Sequence, residues 1–106
     1  IFSTLTPDAP EALSAGTSRT YELHLGDDLR AGGALHATLA LRVASTSGAA
    51  PRVTWNGTVL ALRAADPRTW RAEMENARVG PGAHHFTITA DDAVRLEDLR
   101  VEIQAR

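Results

Sequence analysis

The chain contains no cysteine, which excludes disulfides and thiolate metal sites and leaves its redox compartment unreadable. Lysine is missing too, so all 11 basic residues are arginine. Alanine is heavily used as well, and both residues have GC-rich codons, so codon bias and a bacterial origin account for the composition. A guanidinium can also stack or grip a carboxylate bidentately, which would matter at an interface. Aromatics are scarce at 5%: Phe2, Tyr21, Trp55, Trp70 and Phe86. No apolar run approaches the ~20 residues needed to cross a bilayer, and no signal peptide is visible. The net charge of −2 gives no electrostatic footprint for nucleic acid or an anionic membrane. Neither partner is expected, nor is any cofactor.

What is present suits one small folded unit. A chain of 106 residues with 43% apolar content is the size of a single domain and can bury one core without staples. It opens at Ile1 rather than methionine, as a processed chain or a piece of a longer polypeptide would. Residues 1–19, with Pro7, Pro10 and many small polar residues, read as a linker or irregular lead-in. Within them Ile1, Phe2 and Leu5 could still pack as a short edge strand. Residues 20–106 read as the folded domain.

Period-2 alternation begins at Thr20. Tyr21, Leu23 and Leu25 take one face, and Glu22 and His24 the other. Residues 26–33 are turn chemistry. Leu35, Ala37, Leu39, Leu41 and Val43 then alternate with His36, Thr38, Ala40 and Arg42 in the cleanest strand of the chain. Asn56-Gly57 is a strong hairpin signal. Its two-residue turn sets Trp55 opposite Thr58 and Val53 opposite Leu60, putting Val53, Trp55, Leu60 and Leu62 on one face. Trp70, Ala72 and Met74 share a face of the next strand. After Gly80-Pro81-Gly82, His84, Phe86 and Ile88 do the same. A last strand over 96–103 turns Leu99, Val101 and Ile103 inward and Arg100 and Glu102 outward. Seven or eight short strands at this spacing, with no convincing helix, predict an all-β antiparallel sandwich of the jelly-roll kind.

From Arg52 onward, the succession V-T-W-N-G-T-V-L, a tryptophan strand at Trp70, G-P-G-A-H-H-F-T-I-T-A and V-R-L-E-D-L-R-V-E-I resembles the galactose-binding-like jelly-roll domains. Such domains are attached to glycoside hydrolases and other secreted enzymes. The resemblance covers about half of the chain. It implies a non-catalytic accessory domain that packs on or orients a catalytic domain of the same polypeptide, outside the cytoplasm (extracellular or periplasmic). The family's calcium loop near the amino end is not recognisable; Asp27-Asp28 is the acidic pair in that region.

Chemistry-bearing residues give little beyond this. Asp27-Asp28 and Asp91-Asp92 lack calcium-loop spacing and read as turn formers. His84-His85 on a strand point to opposite faces and cannot share an ion without a bulge. His24 and His36, both outward, could neighbour each other across a sheet, still without a third ligand. Solvated or interface histidines are the expectation, and no metal site is assigned. Serines 3, 14, 18, 45 and 47 stand in no nucleophile motif. Glu73, Glu75, Glu97 and Glu102 offer no evident pair flanking a cleft, as a glycosidase requires. The expectation is therefore no enzyme. Asn56-Gly57-Thr58 matches a glycosylation acceptor, but the turn explains the same residues better.

Sugar rings stack on flat side chains. Trp70 is either core or exposed at the sandwich end, where it would meet a ligand beside Arg68 or Arg71. Asn56, Trp70, Arg71 and His84 are the candidate ligand-binding residues. Besides the accessory role, the sequence leaves two readings open. One is an independent carbohydrate-binding module. The other is an assembly or adhesion domain using the mildly polar face of His36, Thr38, Ala40 and Arg42.

Overall fold

A computed structural model describes residues 2–6, 11–45 and 50–105. Among the described residues, ten strands, all paired antiparallel, form two sheets packed face to face. The first sheet holds β1 (Phe2–Thr6), β2 (Glu11–Leu13), β4 (Leu35–Ser45), β7 (Arg63–Ala64), β8 (Thr69–Met74) and β10 (Val94–Ala105). Its order is β1-β10-β4-β8-β7, with β2 also on β10. The second sheet has the order β3-β9-β5-β6, made of β3 (Thr17–Leu25), β9 (Gly82–Ala90), β5 (Arg52–Trp55) and β6 (Thr58–Leu60). A 3-10 turn, Asn76–Arg78, follows β8.

The alternation seen in the sequence is what the sheets bury. Ala37, Leu39, Leu41 and Val43 of β4 face Tyr21, Leu23 and Leu25 of β3 and Phe86 and Ile88 of β9 across the core. Tyr21, Phe86 and Trp55 form one inward row across the second sheet, because Phe86 is the cross-strand partner of both others. The hairpin register is as the turn dictates, with Val53 opposite Leu60 and Trp55 opposite Thr58. Leu62, placed in the core by alternation, is half-buried against its margin. In β10 the pairing with β4 shifts between Leu96 and Asp98. This bulge at Glu97 lets both Leu96 and Leu99, an odd number of residues apart, point inward.

Two expectations need revision. The lead-in is not irregular throughout. β1 pairs with residues 99–103 of β10 and β2 with residues 94–96, so two lead-in segments lie end to end along one edge of that strand. Ile1 and the stretch with Pro7 and Pro10 lie outside the described residues. The strand count rises to ten among the described residues, because β1, β2 and the two-residue β7 are too short or too irregular in pattern for periodicity to show them.

Candidate functional site

The four candidate residues fall into two groups on different sheets. Trp70 and Arg71 are successive in β8, so they point to opposite faces. Trp70 is half-buried against the core, and Arg71 turns outward. Arg71 Nη1 donates to Glu102 Oε1 at 2.6 Å, and Glu102 is itself buried between Arg71 and Arg100. Its guanidinium is already engaged.

Asn56 and His84 meet at one end of the second sheet. Residue 84 shares the inward phase of Phe86 and Ile88, so its imidazole enters the core margin at 5% exposure. The indole of Trp55, which can only donate, gives its Nε1–H to His84 Nδ1 at 3.0 Å, with the two rings stacked at 5.9 Å. That fixes the tautomer by partnership: the proton sits on Nε2, which donates to the Gly80 carbonyl at 2.7 Å. The expectation of a solvated or interface histidine is thus corrected for His84, a buried group bonded at both ring nitrogens. Asn56, at φ 48°, places its Nδ2 3.4 Å from the same His84 Nδ1 and accepts the His85 N–H on Oδ1 at 2.8 Å.

The loops at this end are tied down. Leu29 and Val79 are buried and joined by Leu29 N–H to the Val79 carbonyl at 2.8 Å. Arg30 grips Asp28 through Nε at 2.9 Å and Nη2 at 2.8 Å, and this pairing holds the Asp28 carboxyl down at about 2. The backbone N–H of Arg68, joined by Thr69, likewise lowers Asp66. Asp28 and Asp66 act as turn organisers, as does Asp91 in its pair with Arg52 at 3.0 Å.

His24 and His36 do not neighbour each other: β3 and β4 belong to different sheets. His24 instead lies 2.6 Å from Glu22, whose other oxygen is 3.4 Å from His85. Among the described residues, no group of three or more His, Cys, Asp or Glu side chains is arranged to hold a metal ion. Glu73 pairs with Arg63 and Glu75 with Arg78, while Glu97 lies 3.8 Å from Arg68. The outer face of the second sheet carries hydroxyls that bond each other, Ser18 to Thr89 at 2.7 Å and Thr20 to Thr87 at 2.9 Å.

The opposite end holds a feature that sequence reasoning missed. A cleft of about 440 Å³ opens where β2, β4 and β10 come together, between Leu13, Val94 and Ser45 on one row and Ala12, Arg95 and Ala44 on the next. Three strands remote in sequence converge there, so no local pattern announces it.

These features define an antiparallel β-sandwich with one end closed by its loops and, among the described residues, a cleft at the other. No family model matches the chain, and a search of curated proteins returns no match. Among solved structures, the chain is similar to a crystal structure of BuGH86, a glycoside hydrolase family 86 protein carrying a Glu-to-Gln substitution, in complex with neoagarooctaose. The TM-score is 0.77 at 10% identity, over 96% of this chain and 18% of that one. The likeness is one of fold, and the chain spans under a fifth of the hydrolase's length.

Proposed function

We propose that the chain is a non-catalytic accessory sandwich of a larger carbohydrate-active protein, outside the cytoplasm, that packs on or orients a catalytic domain of the same polypeptide. The observation carrying this reading is the coverage: nearly the whole chain superposes on 18% of a glycoside hydrolase. The galactose-binding-like jelly roll is the finer fold assignment within that reading, supported by the motifs from Arg52 onward. All four glutamates weighed as catalytic acids, Glu73, Glu75, Glu97 and Glu102, have an arginine within 4 Å of the carboxylate, which suits structural roles.

The test has two arms. The reading frame encoding the chain is expected to continue into a catalytic domain. The 106-residue chain alone is expected to release no reducing ends from agar-derived or other polysaccharides. A frame with no such neighbour, or turnover by the chain alone, would overturn the reading.

A further inference from the structure

Arginines on the first sheet's outer face and its flanking turns lie near acids. Arg71 bonds Glu102 at 2.6 Å, Arg63 lies 3.6 Å from Glu73, and Arg100 lies 3.7 Å from Asp98. Arg68 lies 3.8 Å from Glu97, and Arg42 is near enough to Asp66 to help hold its carboxyl down. Arg95 departs from this pattern. It is exposed, and among the described residues no hydrogen bond or ion pair engages it. Its cross-strand partners are Ala12 on β2 and Ala44 on β4, so no long side chain flanks it on either strand. Asp91, on the turn just before, is taken by Arg52.

This same arginine lines the cleft of about 440 Å³ whose other walls are Ala12, Leu13, Ala44, Ala93 and Val94, with Ser14 and Ser45. Small-molecule sites typically have volumes of roughly 300–1,000 Å³, mostly apolar walls and a few polar groups that fix orientation. This cleft has that make-up. Among the described residues it has no aromatic side chain in its lining, so these offer no platform for stacking a neutral sugar. The distinctive polar group is a cation with no counter-ion among the described residues, in the fork geometry that matches a carboxylate.

We propose that the cleft is a subsite for an acidic sugar. The carboxylate of a uronic acid residue pairs with the Arg95 guanidinium, and the apolar ring face lies against Ala12 and Ala44, the arginine's cross-strand partners. The sugar half of this inference rests on the carbohydrate-active reading above; the carboxylate half rests on Arg95 and the cleft.

The experiment is a titration of the 106-residue chain, followed by calorimetry and backbone amide shifts. The probes are tetragalacturonate, its fully methyl-esterified form and acetate. Tetragalacturonate is expected to saturate and to move the amides of residues 12–14, 44–45 and 93–95. Methyl esterification, which keeps the shape and removes the charge, is expected to weaken binding roughly tenfold to a hundredfold, the usual worth of a charge-assisted hydrogen-bonded pair. Arg95→Gln should lose the same factor, while Arg63→Gln, at the far edge of the sheet, should bind as the parent does.

No saturable binding, equal binding of the ester, or binding indifferent to Arg95→Gln would overturn the proposal. Acetate binding as tightly as tetragalacturonate would overturn the sugar assignment. A reading frame without a catalytic neighbour would sink the accessory role yet leave these titrations as they are, so the two failures are distinguishable.

Discussion

The two ends of the sandwich are built from the same pair of sheets and finished in opposite ways. At the end that carries Gly80 and the Asn56-Gly57 hairpin, the loops bring their own core. Leu29 and Val79 are buried, His84 joins Trp55 to the Gly80 carbonyl, and Asn76 Nδ2 donates to the Leu35 carbonyl at 2.9 Å. Even Gly80 is spoken for, since a Cβ there would meet Arg30 Nε at 3.0 Å. At the other end, where β2, β4 and β10 converge, the strand ends carry alanine and serine, the walls stay apart, and an arginine stands with no acid among the described residues. One end uses large side chains and polar partners for closure; the other, among the described residues, leaves a cleft. In a rigid scaffold, function is more often found where packing has not consumed the side chains.

The largest test of this contrast is Trp55→Ala. The indole is 2% exposed and its N–H is the donor that fixes the His84 tautomer. Removing it opens a cavity in the second sheet's aromatic row and leaves Nδ1 with Asn56 alone, at 3.4 Å. The expected loss is about 3–5 kcal/mol of unfolding free energy in urea melts, in the range of buried large-to-Ala truncations. A loss under about 1 kcal/mol would show that the sealed end is not built on this residue.

Gly57→Val comes next. Gly57 sits at φ 87° with no atom within 4 Å of an added Cβ, so the penalty is one of backbone conformation without a clash. A β-branched residue at positive φ should cost about 1–3 kcal/mol, read from the same melts. An unchanged midpoint would mean that the turn relaxes to another type and that the register of Val53 with Leu60 does not depend on it.

That hairpin was legible in the sequence because everything that decides it is local: Asn and Gly tolerate positive φ, and alternation on each side fixes which residues turn inward. The inward faces of β3, β4, β9 and the body of β10 were legible for the same reason. The rest depends on partners far along the chain. Nothing in residues 1–19 announces that β1 and β2 line up on β10, since the pairing is made roughly 80 to 100 residues later. His84 could be phased with Phe86 and Ile88. Its meeting with Trp55, however, depends on the β5–β9 pairing, in which Trp55 stands opposite Phe86. Trp70 and Arg71 were joined only if Trp70 stood exposed at the sandwich end, and it is half-buried against the core. In a strand, adjacency is what separates them. The cleft is the extreme case, assembled from three strand ends whose residues are individually ordinary.

The smallest expected effect is on the open end, and its smallness is the point. Arg95 makes no hydrogen bond or ion pair among the described residues, is exposed, and stands between two alanines. Replacing it with glutamine removes a charge that no described acid holds, so the unfolding free energy should move by less than about 0.5 kcal/mol, as for surface sites away from any network. Arg71→Gln is the matched control on the same face. There Glu102, whose side chain is 11% exposed, would lose its 2.6 Å partner and keep Arg100 at 3.6 Å and the Gln104 amide at 3.5 Å, so this variant should be measurably less stable. Paired urea melts of the two variants read the difference directly. Equal destabilisation by both would mean that Arg95 already serves the fold, and the open end would then have no more spare surface than the sealed one. If Arg95→Gln is silent in the melts while Arg71→Gln is not, the sheet carries an arginine that folding does not use. Any loss of tetragalacturonate binding in that variant can then be assigned to the missing guanidinium and not to a damaged domain.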